Sequence, residues 1–186
     1  MTGGGGDPRP YDYANRRGVR YLTWEDLVTL SETLAETLEP ERPDIVIGVA
    51  RAGLFPAFVI ASALRRDILA VRVSRRIDDH VRFERPVWHV PVPPTIAGKV
   101  VAIVDEIADT GETLALVRRA AEEQGAAAVL TATPVAHSWA RPLPDAVSLV
   151  TDEFVVFPWD RRILVGGSWV THPEVEAGLD AQHPDA

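Results

Sequence analysis

The five residues Val100 to Val104 (VVAIV) carry no polar side chain and end abruptly on two adjacent acids, Asp105 and Glu106. A strand with no polar alternation has both faces covered, the condition of a parallel sheet with helices on each side. Such a sheet needs crossovers, and the chain supplies them. Asp44 to Val49 is a short β-branched run leading through Gly48-Val49-Ala50-Arg51-Ala52-Gly53 into an apolar helix that Pro56 opens and that reaches about Arg66. Ile68 to Val73 reads as the next strand, Gly111 to Gln124 as a helix closed by Gly125, and Ala126 to Thr133 as a further strand. Upstream, Thr23, Glu25 and Asp26 begin a helix in which Trp24, Leu27, Val28, Leu34 and Leu38 recur at helical spacing until Pro40. Short strands around Ser148 to Val150 and Ile163 to Val165 and a small helix from Pro173 come late. The expectation is an α/β fold, a central mostly parallel sheet flanked by helices, with ligands at the carboxyl ends of its strands. The turns after Val49 and Val104 then face one crevice.

Composition narrows the chemistry. At 186 residues and 46% apolar, the chain can form one core of respectable size. It has no cysteine, which excludes a disulfide framework, a thiolate metal site and a cysteine nucleophile together. Nineteen basic against twenty-seven acidic residues give a formal charge of −8, which argues against nucleic acid or anionic membrane as a partner. There is no apolar run of about 18 residues, and MTGGGGDPRP lacks the order of a signal peptide, so a cytoplasmic protein is expected. Residues 1–18, rich in Gly, Pro, Arg and Asp, read as a flexible arm or surface strap, residues 19–180 as a single domain, and residues 181–186 as a disordered tail. Between Ser74 and Gly98, charges (Arg75, Arg76, Asp78, Asp79, Arg82, Glu84, Arg85) mix with Pro86, Pro91, Pro93 and Pro94. An insertion of that kind in a small domain is often a functional lid. The single lysine, Lys99, opens a strand and closes no glycine loop, so no Walker A phosphate loop is present.

The longest chemical statement is VVAIVDEIADTGETL, Val100 to Leu114. Backbone N–H groups and hydroxyls in a turn at a helix N-terminus make a ready phosphate site. Gly111 allows close backbone approach there, and Thr110 and Thr113 can donate. The carboxylates of Asp105 and Glu106 suit ribose hydroxyls, directly or through magnesium, a hard cation that prefers oxygen ligands and keeps waters.

As a whole, this string resembles the phosphoribosyl pyrophosphate (PRPP) signature of type I phosphoribosyltransferases, whose fold carries a small hood and a long flexible loop. The resemblance runs from about Ile45 to Trp159 and is closest to the xanthine-guanine and hypoxanthine-guanine purine enzymes. It implies that Ala108, Asp109, Thr110, Gly111, Glu112 and Thr113 hold the 5-phosphate, and that Asp105 and Glu106 bind the ribose hydroxyls with Mg2+ as cofactor. Asp109, directly before Thr-Gly, is implied as proton acceptor from a 6-oxopurine, a residue that adenine and orotate enzymes usually lack. GVARAG resembles the family's pyrophosphate loop, in which a non-proline cis peptide is common, with Ala50, Arg51, Ala52 and Gly53 as its binding residues. Arg75, Arg76 and Arg82 would belong to the flexible loop. FVVFPWD, Phe154 to Asp160, resembles the hood segment, with Phe154 stacking on the base, Val155 reading it through the backbone, and the hood covering about 137–165. Phe157 and Trp159 would instead join an aromatic core. The family also implies a homo-oligomer, a dimer or a tetramer.

One position departs from the pattern. Purine enzymes with this hood place a lysine shortly after the fifth strand, where this chain has TATPVAHSW and His137 as the nearest match, with Arg141 close by. A histidine reaches less far, and its charge depends on pH. The implied activity is transfer of the 5-phosphoribosyl group from PRPP to a nucleobase, a 6-oxopurine on the strength of Asp109, with release of pyrophosphate. Two alternatives stay open: the same reaction on another heterocycle, and a noncatalytic PRPP or nucleotide sensor on the same fold, against which the charge of −8 argues.

Overall fold

The structure, a computed structural model, describes residues 16–74, 76, 77, 80, 81 and 87–182. In chain order they form β1 (Val19–Tyr21), α1 (Trp24–Leu38), β2 (Ile45–Val49), α2 (Leu54–Leu64), β3 (Asp67–Ser74), β4 (Arg76–Ile77), β5 (His80–Val81), β6 (Val87–Val90) and β7 (Val100–Val104). There follow β8 (Ile107–Ala108), α3 (Glu112–Glu123), β9 (Ala128–Ala136), β10 (Ala146–Val150), β11 (Phe154–Val156), β12 (Arg162–Val165), β13 (Ser168–Thr171) and α4 (Pro173–Gln182). These elements group into two compact units: a larger one from the described residues of 25–75 and 85–151, and a smaller one from those of 1–24, 76–84 and 152–186.

The larger unit is built on a sheet in the order β10-β9-β7-β2-β3-β6, with β8 beside β9. Its neighbours run parallel except β6, which lies antiparallel on β3. Along β7, alternate side chains enter opposite cores. Val101 and Ile103 pack with α3 residues Leu114, Val117 and Ala121, while Ala102 and Val104 pack with Leu34 and Leu38 of α1 and Ala57 and Ile60 of α2. Both faces being covered, a polar side chain anywhere in the strand would lose its water without a partner, which is why the run is purely apolar. Gly48 is the corresponding device in β2, since a Cβ there would stand 2.9 Å from that of Ala57. Its absence lets α2 settle on the strand.

This topology positions the site. From β2 the chain crosses through α2 on one face to β3 on one side, and from β7 it crosses through α3 on the other face to β9 on the opposite side. The two adjacent strands thus send their connections in opposite directions, and a crevice opens at their carboxyl ends. Register brings the ends level, with Gly48 opposite Val104.

The segment between Ser74 and Gly98 is not solely an insertion. Val87–Val90 rejoins the sheet as its antiparallel edge, and Val92 and Ile96 are buried in the core. Prolines on either side of so short a strand conceal it, and an edge strand tolerates them because it needs hydrogen bonds on one side only. Strand β9 likewise runs three residues beyond Thr133, through Pro134 to Ala136. The expected flexible-loop residues Arg75 and Arg82 lie outside the described residues, and for Arg76 only the strand backbone of β4 is described.

In the smaller unit β1 pairs parallel with β11, β12 with β13 as an antiparallel hairpin, and α4 extends to Gln182. Phe157 stacks on Trp159 at 4.9 Å between centroids, and Trp24 meets Trp159 at 5.7 Å, the aromatic cluster expected of this segment. Among the described residues no helix is long and apolar enough to cross a membrane.

Candidate active site

Strand β7 delivers Asp105 to the mouth of the crevice at the point where apolar packing stops. The residue is 8% exposed, its backbone N–H donates to Ala132 O at 3.2 Å, and its Oδ1 accepts the N–H of Glu106 at 3.0 Å. Burial pushes the Asp105 carboxyl well above the usual carboxylate range, and the negative charge of Glu106 beside it adds to the effect. An adjacent cation would reverse that bias. No group of three or more histidine, aspartate or glutamate side chains forms a metal cage among the described residues.

The turn after β2 closes on the same acid. A Cβ on Gly53 would stand 2.8 Å from Asp105 Cα, 2.9 Å from its Oδ1 and 2.6 Å from Val49 O, so only glycine lets the two loops meet. Ala50 N donates to Val71 O at 2.7 Å, the Ala50–Arg51 peptide is cis, and Leu54 N and Phe55 N donate to the carbonyls of Arg51 and Ala52. The cis peptide is the feature implied for GVARAG. Arg51 is exposed and Ala52 half-buried at the entrance to α2.

The turn after β7 leads through β8 to α3. Gly111 has φ +86°, a left-handed conformation that glycine takes without a Cβ penalty. Thr110 Oγ1 accepts Glu112 N–H at 3.4 Å. The first amides of this twelve-residue helix face the turn formed by Ala108 to Thr113, the geometry of an anion site.

A third loop, 137–142, is sewn along that turn. His137 N donates to Ala108 O at 3.1 Å and Arg141 N to Thr110 O at 2.8 Å. A Cβ on Gly111 would collide with Pro142 O at 2.4 Å. Arg141 folds its guanidinium back onto Ser138 O and Ala140 O, at 2.9 and 2.7 Å. His137 is 2% exposed, with Nδ1 2.6 Å from Thr151 O. A carbonyl only accepts, so Nδ1 carries the proton of that bond. Trp139 stacks on the His137 ring at 4.5 Å and 17°, and its Nε1–H donates to Asp109 Oδ1 at 3.3 Å. No motif marks Trp139 in the sequence; its position two residues after His137, in the loop leaving β9, is the only signal there.

Phe154 and Val155 lie in the smaller unit. The Phe154 ring rests against α4, where a Cβ on Gly178 would come within 2.5 Å of its Cζ. Phe154 N donates to Gly18 O and Leu22 N to Val156 O, so β11 spends residues 154 and 156 on β1 and turns the backbone groups of Val155 toward its other edge.

Two strand-end loops thus meet at a buried acid, beside a glycine turn opening a helix, at the topological switch point where open α/β sheets bind their ligands. A profile of the phosphoribosyl transferase domain matches residues 22–164. A xanthine-guanine phosphoribosyltransferase of Nitratidesulfovibrio vulgaris is 34% identical over 163 residues, covering 85% of this chain and 94% of that protein. The corresponding protein of Cereibacter sphaeroides is 28% identical over 160 residues, covering 77% of this chain and 87% of its own length. Among solved structures, a purine phosphoribosyltransferase from Pyrococcus horikoshii superposes with a TM-score of 0.70 at 31% identity, over 80% of this chain and 99% of that one. The chain belongs to the phosphoribosyltransferase family. It is an enzyme, and its mostly parallel sheet is the type I fold.

Proposed function

We propose that this enzyme transfers the 5-phosphoribosyl group of PRPP to a 6-oxopurine, hypoxanthine, guanine or xanthine, and releases pyrophosphate. The observation that carries the reading is Asp109, half-buried directly before Thr110-Gly111, in a turn whose upstream neighbour Asp105 touches the Gly53 loop. The purine specificity in the names of the similar proteins supports it.

In this reading Ala108 to Thr113 hold the 5-phosphate through the amides at the start of α3, and Ala50 to Gly53 with Arg51 hold the diphosphate. Asp105 and Glu106 take the ribose hydroxyls and face the positive charge that grows on the sugar as the bond from C1 to pyrophosphate oxygen breaks. The electron pair of that bond leaves with pyrophosphate, a nitrogen of the base attacks C1, and Asp109 accepts the proton that the base nitrogen sheds. Asp105 and Glu106 are also the oxygen donors for Mg2+. A pair of carboxylates, with no cluster of three acids or histidines among the described residues, suits an ion that keeps its waters and is shared with substrate phosphates. When bound, the ion supplies positive charge to the departing diphosphate. Phe154 is the proposed base-stacking residue, and the backbone of Val155, directed away from β1, the proposed reader of its edge. Cytoplasmic location and a dimeric or tetrameric state accompany this reading; light scattering on the purified enzyme checks the latter.

The test is pyrophosphate release from PRPP and magnesium with a panel of purine and non-purine bases, beside Asp109→Asn. Turnover of a 6-oxopurine that falls by about 100-fold or more in the variant supports the reading. A non-purine base used at least about tenfold better would favour the second acceptor class, which one observation motivates: where purine relatives carry a lysine, this chain has a buried histidine bonded to Thr151.

A further inference from the structure

Resting on the proposed acceptor role of Asp109, we propose that Trp139, rather than His137, is the side chain of loop 137–142 that meets the acceptor base, aiming Asp109 through its indole N–H and offering its exposed part to a planar heterocycle.

His137 occupies the position at which base contact was expected, yet it is 2% exposed and its Nδ1–H is committed to Thr151 O at 2.6 Å. Its ring covers one face of Trp139, the two nearly parallel at 17°. Trp139 is nevertheless 36% exposed. The indole N–H reaches Asp109 Oδ1 at 3.3 Å, placing that ring beside the carboxylate proposed to take the base proton. Indole is also the surface best suited to stack on a nucleobase, because every planar base presents a π-face whatever its exocyclic groups. The sequence Thr151 carbonyl, His137, Trp139, Asp109 therefore runs from the buried end of the loop to the reacting group. His137 acts through Trp139 as a positioning residue. The hydrogen bonds of the loop to Ala108 O and Thr110 O fix this arrangement to the phosphate turn itself, so that the acceptor and the phosphoribosyl group are positioned from one backbone.

The two roles separate by substitution. Trp139→Phe keeps a ring over His137 and removes the N–H; kcat should fall by about tenfold, the worth of one aimed hydrogen bond, while KM for the base stays within about threefold. Trp139→Ala removes the platform as well and should raise KM for the base by about tenfold or more. KM for PRPP should stay within about twofold in both, a pattern that general damage to the fold would not produce. Equal kcat and base KM in wild type and both variants overturn the proposal while leaving the purine reading intact. The contact is also read without turnover: Asp109→Asn should shift the tryptophan emission that disappears in Trp139→Phe. Identical emission from wild type and Asp109→Asn overturns the proposal. A shift in emission with no 6-oxopurine turned over supports it and transfers the failure to the purine reading alone.

Discussion

Gly53 and Asp105 belong to different loops, yet the missing side chain of the first is what seats the second: a methyl group on Gly53 would lie 2.8 Å from Asp105 Cα. The close approach concerns space and not backbone conformation, since Gly53 has φ −62°, open to any residue.

Gly53→Ala should therefore act as an overpacking change at the junction of the two loops. Moving Asp105 or the Val49 carbonyl by several tenths of an ångström costs about 1–3 kcal/mol. KM for PRPP should rise at least tenfold by the same displacement. Urea denaturation and initial-rate kinetics check both, and a variant with wild-type KM would show that the loops separate at no cost.

Asp105→Asn should stabilise the ligand-free protein while crippling it. A carboxyl whose folded pKa is raised holds its proton more tightly in the folded than in the unfolded state, so stability is lost as pH climbs from the unfolded value of about 4 through the raised folded one. Removing the acid removes that loss. The gain in Tm of the variant should be largest above the folded pKa and vanish at about pH 4, with activity falling by about 100-fold. Thermal melts across pH, beside rate measurements, test the sign.

Gly111→Ala should injure donor and acceptor binding together. Its φ of +86° penalises any Cβ, by about 1–2 kcal/mol, and that Cβ would meet Pro142 O at 2.4 Å. KM for both PRPP and base should rise, in contrast to the base-only effect of Trp139→Ala.

Asp145→Ala should cost stability without touching catalysis. The carboxylate accepts the Thr131 N–H at 2.7 Å and its hydroxyl at 2.9 Å, and pairs with Arg118, so its loss leaves a buried N–H unsatisfied at about 1–3 kcal/mol. Both KM values and kcat should remain within about twofold of wild type.

The sheet was legible where burial dictates residue type. Val100–Val104 was bounded to the residue because both of its faces are covered and a charged pair ends it. β6 was not, because an edge strand of four residues between prolines needs only half its hydrogen bonds and shows no apolar run. Strands β1, β8 and β11 share the difficulty, being two or three residues long and defined by partners distant in the chain. In the site, the contiguous residues 105–113 could be read as a string, since one turn at one helix end brings them together. Trp139 could not, because its meaning comes from Asp109, thirty positions away, and from a stack on His137 that no spacing encodes.

The seam between 107–111 and 137–142 bears on how such an enzyme can diversify. Because Ala108 and Thr110 carbonyls hold the second loop, and Gly111 leaves no room beneath Pro142, grafting a relative's 137–142 segment without its matching 107–111 turn would disrupt both. The two segments can only be inherited as a pair. New acceptor preferences must then arise from single side chains that project from an unaltered backbone, and the imidazole of His137, at the position nearest the lysine of the family's pattern, is one such exchange.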